Sequence, residues 1–466
     1  MLHVSTRGEA PAIGFTDVLL AGLARDGGLY VPQGWPQLSR TDIAGMAGQS
    51  YAKVARRVLG ALIDGDIPAA DLGAMIDEAY SVFRHAAVCP LTQVADNIFV
   101  LELFHGPTLA FKDVAMQLLG RLMNHALRAR GQRATIIGAT SGDTGSAAIE
   151  AFRGLDQVDV FILYPHGRVS EVQRRQMTGV DAPNVHAIAV EGTFDDCQAI
   201  VKGLFNDHRF RDELGLSGVN SINWARIAAQ TVYYFTSAVA LGAPHRPVAF
   251  SVPTGNFGDI LAGDIARRMG LPVANLAIAT NANDILARTL ASGRYEKRGV
   301  AATSSPSMDI EISSNFERLL FESCGRDAAQ IRAMMASLGQ SGAFEIEPVS
   351  LAAIRAGFSA HTAGEDATLA EIARVYRECG YIIDPHTAVA VAGARAEIAQ
   401  DPATPVIALA TAHPAKFPDA VEKATGMRPP LPAHLADLFD RKERFTVMAN
   451  DQGAVAAFIR ANARTG

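Results

Sequence analysis

Apolar residues recur every three or four positions through 15–23, 51–63 and 72–83, the spacing that gathers them on one face of a helix. Asp26-Gly27-Gly28 interrupts this pattern as a turn, and Leu29-Tyr30-Val31 before Pro32 reads as a short strand. The first ninety or so residues are therefore expected to be a mostly helical region. From about Pro90 the pattern changes to short, solid apolar runs, each followed by a helical period. These runs predict strands at 97–103, 134–139, 158–164, 185–190, 247–252, 276–280 and 406–410. The intervening periods predict a helix beginning at Pro107-Thr108 and running through Met116, Leu119 and Met123. Further helices are expected at 146–152, 171–177, 194–205, 224–239 (long and amphipathic) and 259–269. Solid apolar strands alternating with helices indicate parallel, doubly wound sheets covered on both faces. From 281 to about 366 the strand signal fades into helices and polar loops, before helices at 367–379 and from 384 onward. The fold class is α/β, with two doubly wound sheet domains and an N-terminal mostly helical region. The expected division is 1–95, 96–245 and 246–466, the last with a helical insertion at about 281–366.

Composition narrows the class of molecule. A chain of 466 residues, 49% of them hydrophobic, can bury more than one core. A net charge of -6 with no Lys/Arg block leaves no footprint for nucleic acid. No uninterrupted apolar stretch reaches membrane-spanning length, and residues 1–8 lack the apolar centre of a secretory signal. Cys89, Cys197, Cys324 and Cys379 are scattered with no CxxC pair, which suits buried free thiols in a reducing compartment better than disulfides or a zinc site. A cytoplasmic enzyme with no metal site is the expectation.

Candidate chemistry concentrates on one lysine and three loops. At helical spacing Lys112 shares a face with Ala115, Met116, Leu119 and Met123, where a charged ammonium is costly unless paired or deprotonated. Either its stem lies along the core while its head reaches water, or it is a desolvated amine able to join a carbonyl group. In open α/β sheets ligands bind beyond the carboxyl ends of the strands. Gly255-Asn256-Phe257-Gly258 lies there, between a strand and a helix; it is either a plain turn or a phosphate cradle of backbone N–H groups. It matches neither a dinucleotide fingerprint nor a Walker loop. Ser141-Gly142-Asp143-Thr144-Gly145 is a second such loop, an ordinary helix cap or a site for a carboxylate or second phosphate. Thr411 ends a third strand. An amine plus anion cradles at strand ends is what a phosphorylated aldehyde cofactor requires.

His105-Gly106-Pro107-Thr108-Leu109-Ala110-Phe111-Lys112-Asp113 resembles the pyridoxal-phosphate lysine motif of threonine synthases. Ser5-Thr6-Arg7-Gly8, 26–32, 138–145, 220–226, Pro253 to Asp259, 313–318 and 413–417 are similar to further segments of that family, in the same order. The long N-terminal region is similar to its bacterial and fungal branch. The resemblance implies a type II pyridoxal-phosphate fold and conversion of O-phospho-L-homoserine and water to L-threonine and phosphate. It implies that Lys112 forms the internal aldimine, that Gly255, Asn256, Phe257 and Gly258 hold the cofactor phosphate, and that Thr411 bonds the pyridine nitrogen. Ser141 and Thr144 would take the substrate carboxylate. Asn223, Arg226 and Lys416 are candidates for the substrate phosphate, with the role undivided among them. A monomer or weak homodimer is implied. The same residues would also serve a phospho-lyase releasing 2-oxobutyrate; a non-catalytic cofactor-binding protein and an aldehyde-free phosphosugar-binding module are the other readings.

Overall fold

The computed structural model describes residues 1–464. The apolar runs form two sheets. One is six-stranded, in the order Phe358–Thr362, Val273–Thr280, Val248–Pro253, Val406–Ala410, Ile98–Glu102, Leu91–Ala95. All its neighbours run parallel except the last pair, which is antiparallel. The other is five-stranded and wholly parallel, in the order Thr446–Ala449, Val185–Glu191, Val158–Pro165, Ala134–Ala139, Leu216–Ser217. Val158–Pro165 is buried at every position, as a strand with helices on both faces must be. The α/β architecture expected from the pattern is present.

The chain does not divide between the sheets as three consecutive segments. Ile98–Glu102, expected to belong with 96–245, pairs with Val406–Ala410 in the six-stranded sheet. Thr446–Ala449, expected within 246–466, pairs with Val185–Glu191 in the five-stranded one. The chain thus starts in one sheet, builds most of the other, returns, and finally crosses back. Strand neighbours in each sheet therefore do not follow order along the chain. The N-terminal region is likewise not a separate unit. Phe15, Tyr51, Val58 and Ile76 belong to the same continuous core as Leu118, Tyr234 and Leu409, and its last strand, Leu91–Ala95, edges the six-stranded sheet.

Three local expectations change. The segment 281–366 holds strands: Arg294–Glu296 pairs with Ala343–Glu345, and Phe358–Thr362 extends the six-stranded sheet. Phe358–Thr362 has polar residues where a solid run was sought; Glu397 accepts hydrogen bonds from Ser359 Oγ (2.6 Å) and pairs with His361 Nε2 (2.6 Å), which lets them sit at the sheet. The helix Trp224–Ala240, expected to be amphipathic, is buried over nearly its whole length, enclosed by the N-terminal helices, Lys112–Arg130 and Gly258–Arg268. Of the four cysteines, Cys89 and Cys197 are buried, whereas Cys324 is half-buried and Cys379 exposed; all four are free thiols. No helix among the described residues is long and apolar enough to cross a membrane.

Candidate active site

Lys112 begins its helix, Lys112–Arg130, rather than sitting a turn inside it. The expected start at Pro107-Thr108 is instead a tight loop. Leu109 takes a left-handed conformation (φ 62°), uncommon for a branched side chain and frequent near functional sites. Asp113 reaches back to accept hydrogen bonds from Thr108 N (2.7 Å) and Thr108 Oγ1 (2.7 Å). The loop is stapled to the end of Val406–Ala410: Phe111 N donates to Thr411 O (2.9 Å) and His413 N to Leu109 O (3.0 Å). Lys112 and Thr411, 299 positions apart in sequence, are therefore fixed at the carboxyl ends of two neighbouring strands of one sheet.

Lys112 is buried, and its ammonium meets a carboxylate from the other sheet. Nζ lies 3.5 Å from Asp143 Oδ2, with the Phe111 ring centroid 5.2 Å away. Lys416, with no exposed side-chain surface, places Nζ 2.8 Å from Asp143 Oδ1 and donates to Thr108 O at 2.8 Å. Asp143 also accepts from Gln173 Nε2 (2.9 Å) and Ser307 Oγ (3.3 Å). One carboxylate thus serves two buried ammonium groups. Burial lowers the pKa of Lys112; Asp143 opposes that shift, while Lys416 and Arg226 add to it. Burial alone would raise the Asp143 carboxyl, but Lys416 and Lys112 hold it well below the usual carboxylate range. Asp143 was not among the residues singled out from the sequence. The available signal was the need for an anion near lysines on apolar faces, within a loop already marked.

The helix after Ala134–Ala139 begins at Asp143, three residues earlier than expected, so Asp143 and Thr144 occupy its first turn. Gly142 makes this possible with φ 144°; a Cβ there would lie 2.3 Å from Gln173 Cδ, so only glycine fits. Thr140 Oγ1 closes the turn by accepting from Gly142 N and Gly145 N, both at 2.9 Å. Ser141 is exposed and Thr144 half-buried; among the described residues neither hydroxyl bonds to protein.

The three residues expected at the substrate phosphate separate. Asn223 is fully buried as a helix cap: Oδ1 accepts from Ala225 N (3.0 Å) and Nδ2 donates to Leu19 O (3.0 Å), so both ends of its amide already have protein partners. Lys416 is held by Asp143. Arg226 is different. It is buried with no carboxylate within ion-pair distance among the described residues, donates to Val219 O (2.9 Å), and has an unpartnered Nε. Burial pushes its pKa down to about 10, the mark of a cation lacking an anion.

The glycine loop joins Val248–Pro253 to the helix Gly258–Arg268. Phe257 is left-handed (φ 62°). Among the described residues the N–H groups of Gly255, Asn256, Phe257 and Gly258 meet no acceptor, although Phe257 and Gly258 are buried. Unsatisfied donors at a helix start fit an anion. Together with a buried amine and a strand-end hydroxyl, they match the needs of a phosphorylated aldehyde cofactor.

Three matches to family models span most of the chain: "Threonine synthase N terminus" at residues 2–80, "Pyridoxal-phosphate dependent enzyme" at 87–365 and "Threonine synthase, C-terminal" at 387–459. A threonine synthase of Pseudomonas aeruginosa is 54% identical over 100% of this chain and 99% of its own. The crystal structure of PLP-bound threonine synthase from Brucella melitensis shares 61% identity, covers 100% of both chains and superposes with a TM-score of 0.98. Yeast threonine synthase follows at 41% identity, TM-score 0.94, with 99% of this chain and 98% of that one covered.

Proposed function

As the chain belongs to the threonine synthase family, we propose that this site converts O-phospho-L-homoserine and water to L-threonine and phosphate, the last step of threonine biosynthesis. The fold is that of the type II pyridoxal-phosphate enzymes. Pyridoxal 5'-phosphate supplies an aldehyde that condenses with amines and a ring that accepts electron density from the substrate's α carbon. Lys112 Nζ would hold the cofactor aldehyde, the N–H groups of Gly255, Asn256, Phe257 and Gly258 its phosphate, and Thr411 its pyridine nitrogen. A hydroxyl at Thr411, in place of a carboxylate, leaves that nitrogen less firmly protonated.

When Lys112 Nζ is free, burial favours its uncharged form, the form that can take a proton from the substrate's α carbon. Asp143 keeps the amine within reach and holds Lys416 beside it. Arg226, the buried guanidinium without a carboxylate, is assigned the substrate phosphate, and stabilises the charge that collects on it as it leaves the γ carbon. Ser141 and Thr144, at a helix start, are assigned the substrate carboxylate. The β carbon gives up a proton as the phosphate leaves, the γ carbon is protonated, and water then adds its hydroxyl at the β carbon and returns a proton to the α carbon. We take the enzyme to act in the cytoplasm as a monomer or weak homodimer, with no nucleic-acid or membrane partner.

The observation that carries this reading is the burial of Lys112 against Asp143, which brings an amine of lowered basicity to the meeting of the two sheets. The test records visible absorbance of the purified protein, then follows phosphate, threonine and 2-oxobutyrate after O-phospho-L-homoserine is added. Threonine and phosphate in equal amounts are expected, and Lys112→Ala should abolish both the absorbance and the products. Phosphate with 2-oxobutyrate would make the protein a phospho-lyase. An absorbing protein that releases no phosphate would make it a non-catalytic binder.

A further inference from the structure

Two of the sequence segments shared with the family, Ser5–Gly8 and Ser313–Arg318, supply no residue to the chemistry above. They meet each other behind the glycine loop. Thr6 Oγ1 donates to Glu317 Oε1 (2.6 Å), and Arg7 bonds both carboxylate oxygens of Glu317 through Nε (3.2 Å) and a terminal nitrogen (3.1 Å). The buried Arg318 donates to Tyr30 O (2.9 Å), to Ile222 O (2.8 Å) and to Asn315 Oδ1. Asn315 then faces the loop: its N (3.1 Å) and Nδ2 (3.0 Å) both donate to Asn256 O. Ser313 Oγ donates to Gly255 O at 2.6 Å.

A trans peptide carries its C=O and N–H on opposite sides. With the carbonyls of Gly255 and Asn256 drawn toward 313–315, the N–H groups of the same two peptides, those of Asn256 and Phe257, are turned away from that segment and meet no protein acceptor among the described residues. Freed from these bonds, either peptide could rotate and offer an anion its carbonyl instead. We propose that Ser313 and Asn315 are positioning residues that set the peptide planes of the glycine loop for the cofactor phosphate, with Arg318, Glu317 and the N-terminal Thr6-Arg7 as their anchor. This rests on the assignment of that phosphate to residues 255–258.

The test compares release of pyridoxal 5'-phosphate from the holoenzyme, and reconstitution with pyridoxal 5'-phosphate or with pyridoxal, which lacks the phosphate. Ser313→Ala loses one hydrogen bond and should weaken binding of the phosphorylated form about fivefold, with pyridoxal unaffected. Ser313→Thr, which keeps the hydroxyl, should restore it. Asn315→Asp keeps an acceptor for Arg318 but sets an anion against Asn256 O, and should weaken the phosphorylated form by about tenfold or more. In both weakened variants the 31P resonance of the bound cofactor should shift. Gly255→Ala probes the loop itself, since a Cβ there would lie 3.1 Å from Ser307 O. Weakening by Gly255→Ala alone, with Ser313→Ala and Asn315→Asp unchanged, overturns the positioning role and leaves the loop assignment standing. If none of the three changes the preference for the phosphorylated form, the loop assignment fails and the inference with it.

Discussion

A buried ammonium must find an anion or lose its proton, and Lys112 is poised between the two. Asp143 favours the charged form of Lys112, while burial, Lys416 and Arg226 favour the neutral one. Asp143→Asn removes the carboxylate that raises the Lys112 pKa and takes from Lys416 its ion-pair partner, so both changes act in the same direction. The acid limb of the kcat profile should therefore move to lower pH, because Lys112 then gives up its proton more readily; a limb that stays put or moves upward would falsify the coupling. Arg226 is tested by a separation of constants. Arg226→Gln should raise KM for O-phospho-L-homoserine by roughly ten- to a hundredfold, the worth of a charge-assisted hydrogen bond, with a smaller change in cofactor affinity. Equal loss of both would place Arg226 at the cofactor instead. At this scale the sequence marked Lys112 and the glycine loop through residues whose local setting is unusual. It did not separate Asn223 from Arg226, since a capping asparagine and a ligand-binding one look alike until their partners are seen.

Helices and central strands followed the hydrophobic pattern closely, because their burial on one or both faces is written in periodicity. Three strands that escaped it are edges. Leu91–Ala95, Phe358–Thr362 and Thr446–Ala449 lie at the margins of their sheets, where polar residues are tolerated. The last of these, with the helix Gln452–Asn462, closes the five-stranded sheet. Val455 and Ile459 are fully buried against Phe161, Cys197 and Ile200. Ile459→Ala should cost about 3 kcal/mol in urea unfolding, although this helix supplies nothing to the site. A loss below about 1 kcal/mol would show that the terminal helix is dispensable.

Across the whole molecule, buried titratable groups tie stability to pH. Burial pushes His3 down to about 4 from an ordinary 6.5, and His413, beside His105, down to about 4. The unfolded chain takes up protons at these positions that the folded one refuses, so their contribution is complete above about pH 6.5 and is lost as pH falls toward 4. Asp113 and Asp259, raised by burial to about 6 and about 7, act in the opposite sense over the same window. The useful comparison is therefore His3→Gln against the parent at each pH. The stability advantage of the parent should grow by about 3 kcal/mol between pH 4 and pH 7. A difference that does not vary with pH would mean that His3 is not buried neutral.

By itself the sequence determined the α/β class, the placement of helices and central strands, and the family segments that single out Lys112, 255–258 and Thr411, because periodicity and loop chemistry are local properties. Tertiary structure decided the rest. Which strand joins which sheet is set by contacts between segments far apart in the chain, so residues 98–102 and 446–449 crossed the expected boundaries. The pairing of Asp143 with both Lys112 and Lys416, and the grip of residues 313–315 on the glycine loop, join positions tens to hundreds of residues apart. No spacing along the chain encodes such a meeting; it exists only once two sheets and an N-terminal segment are packed against one another.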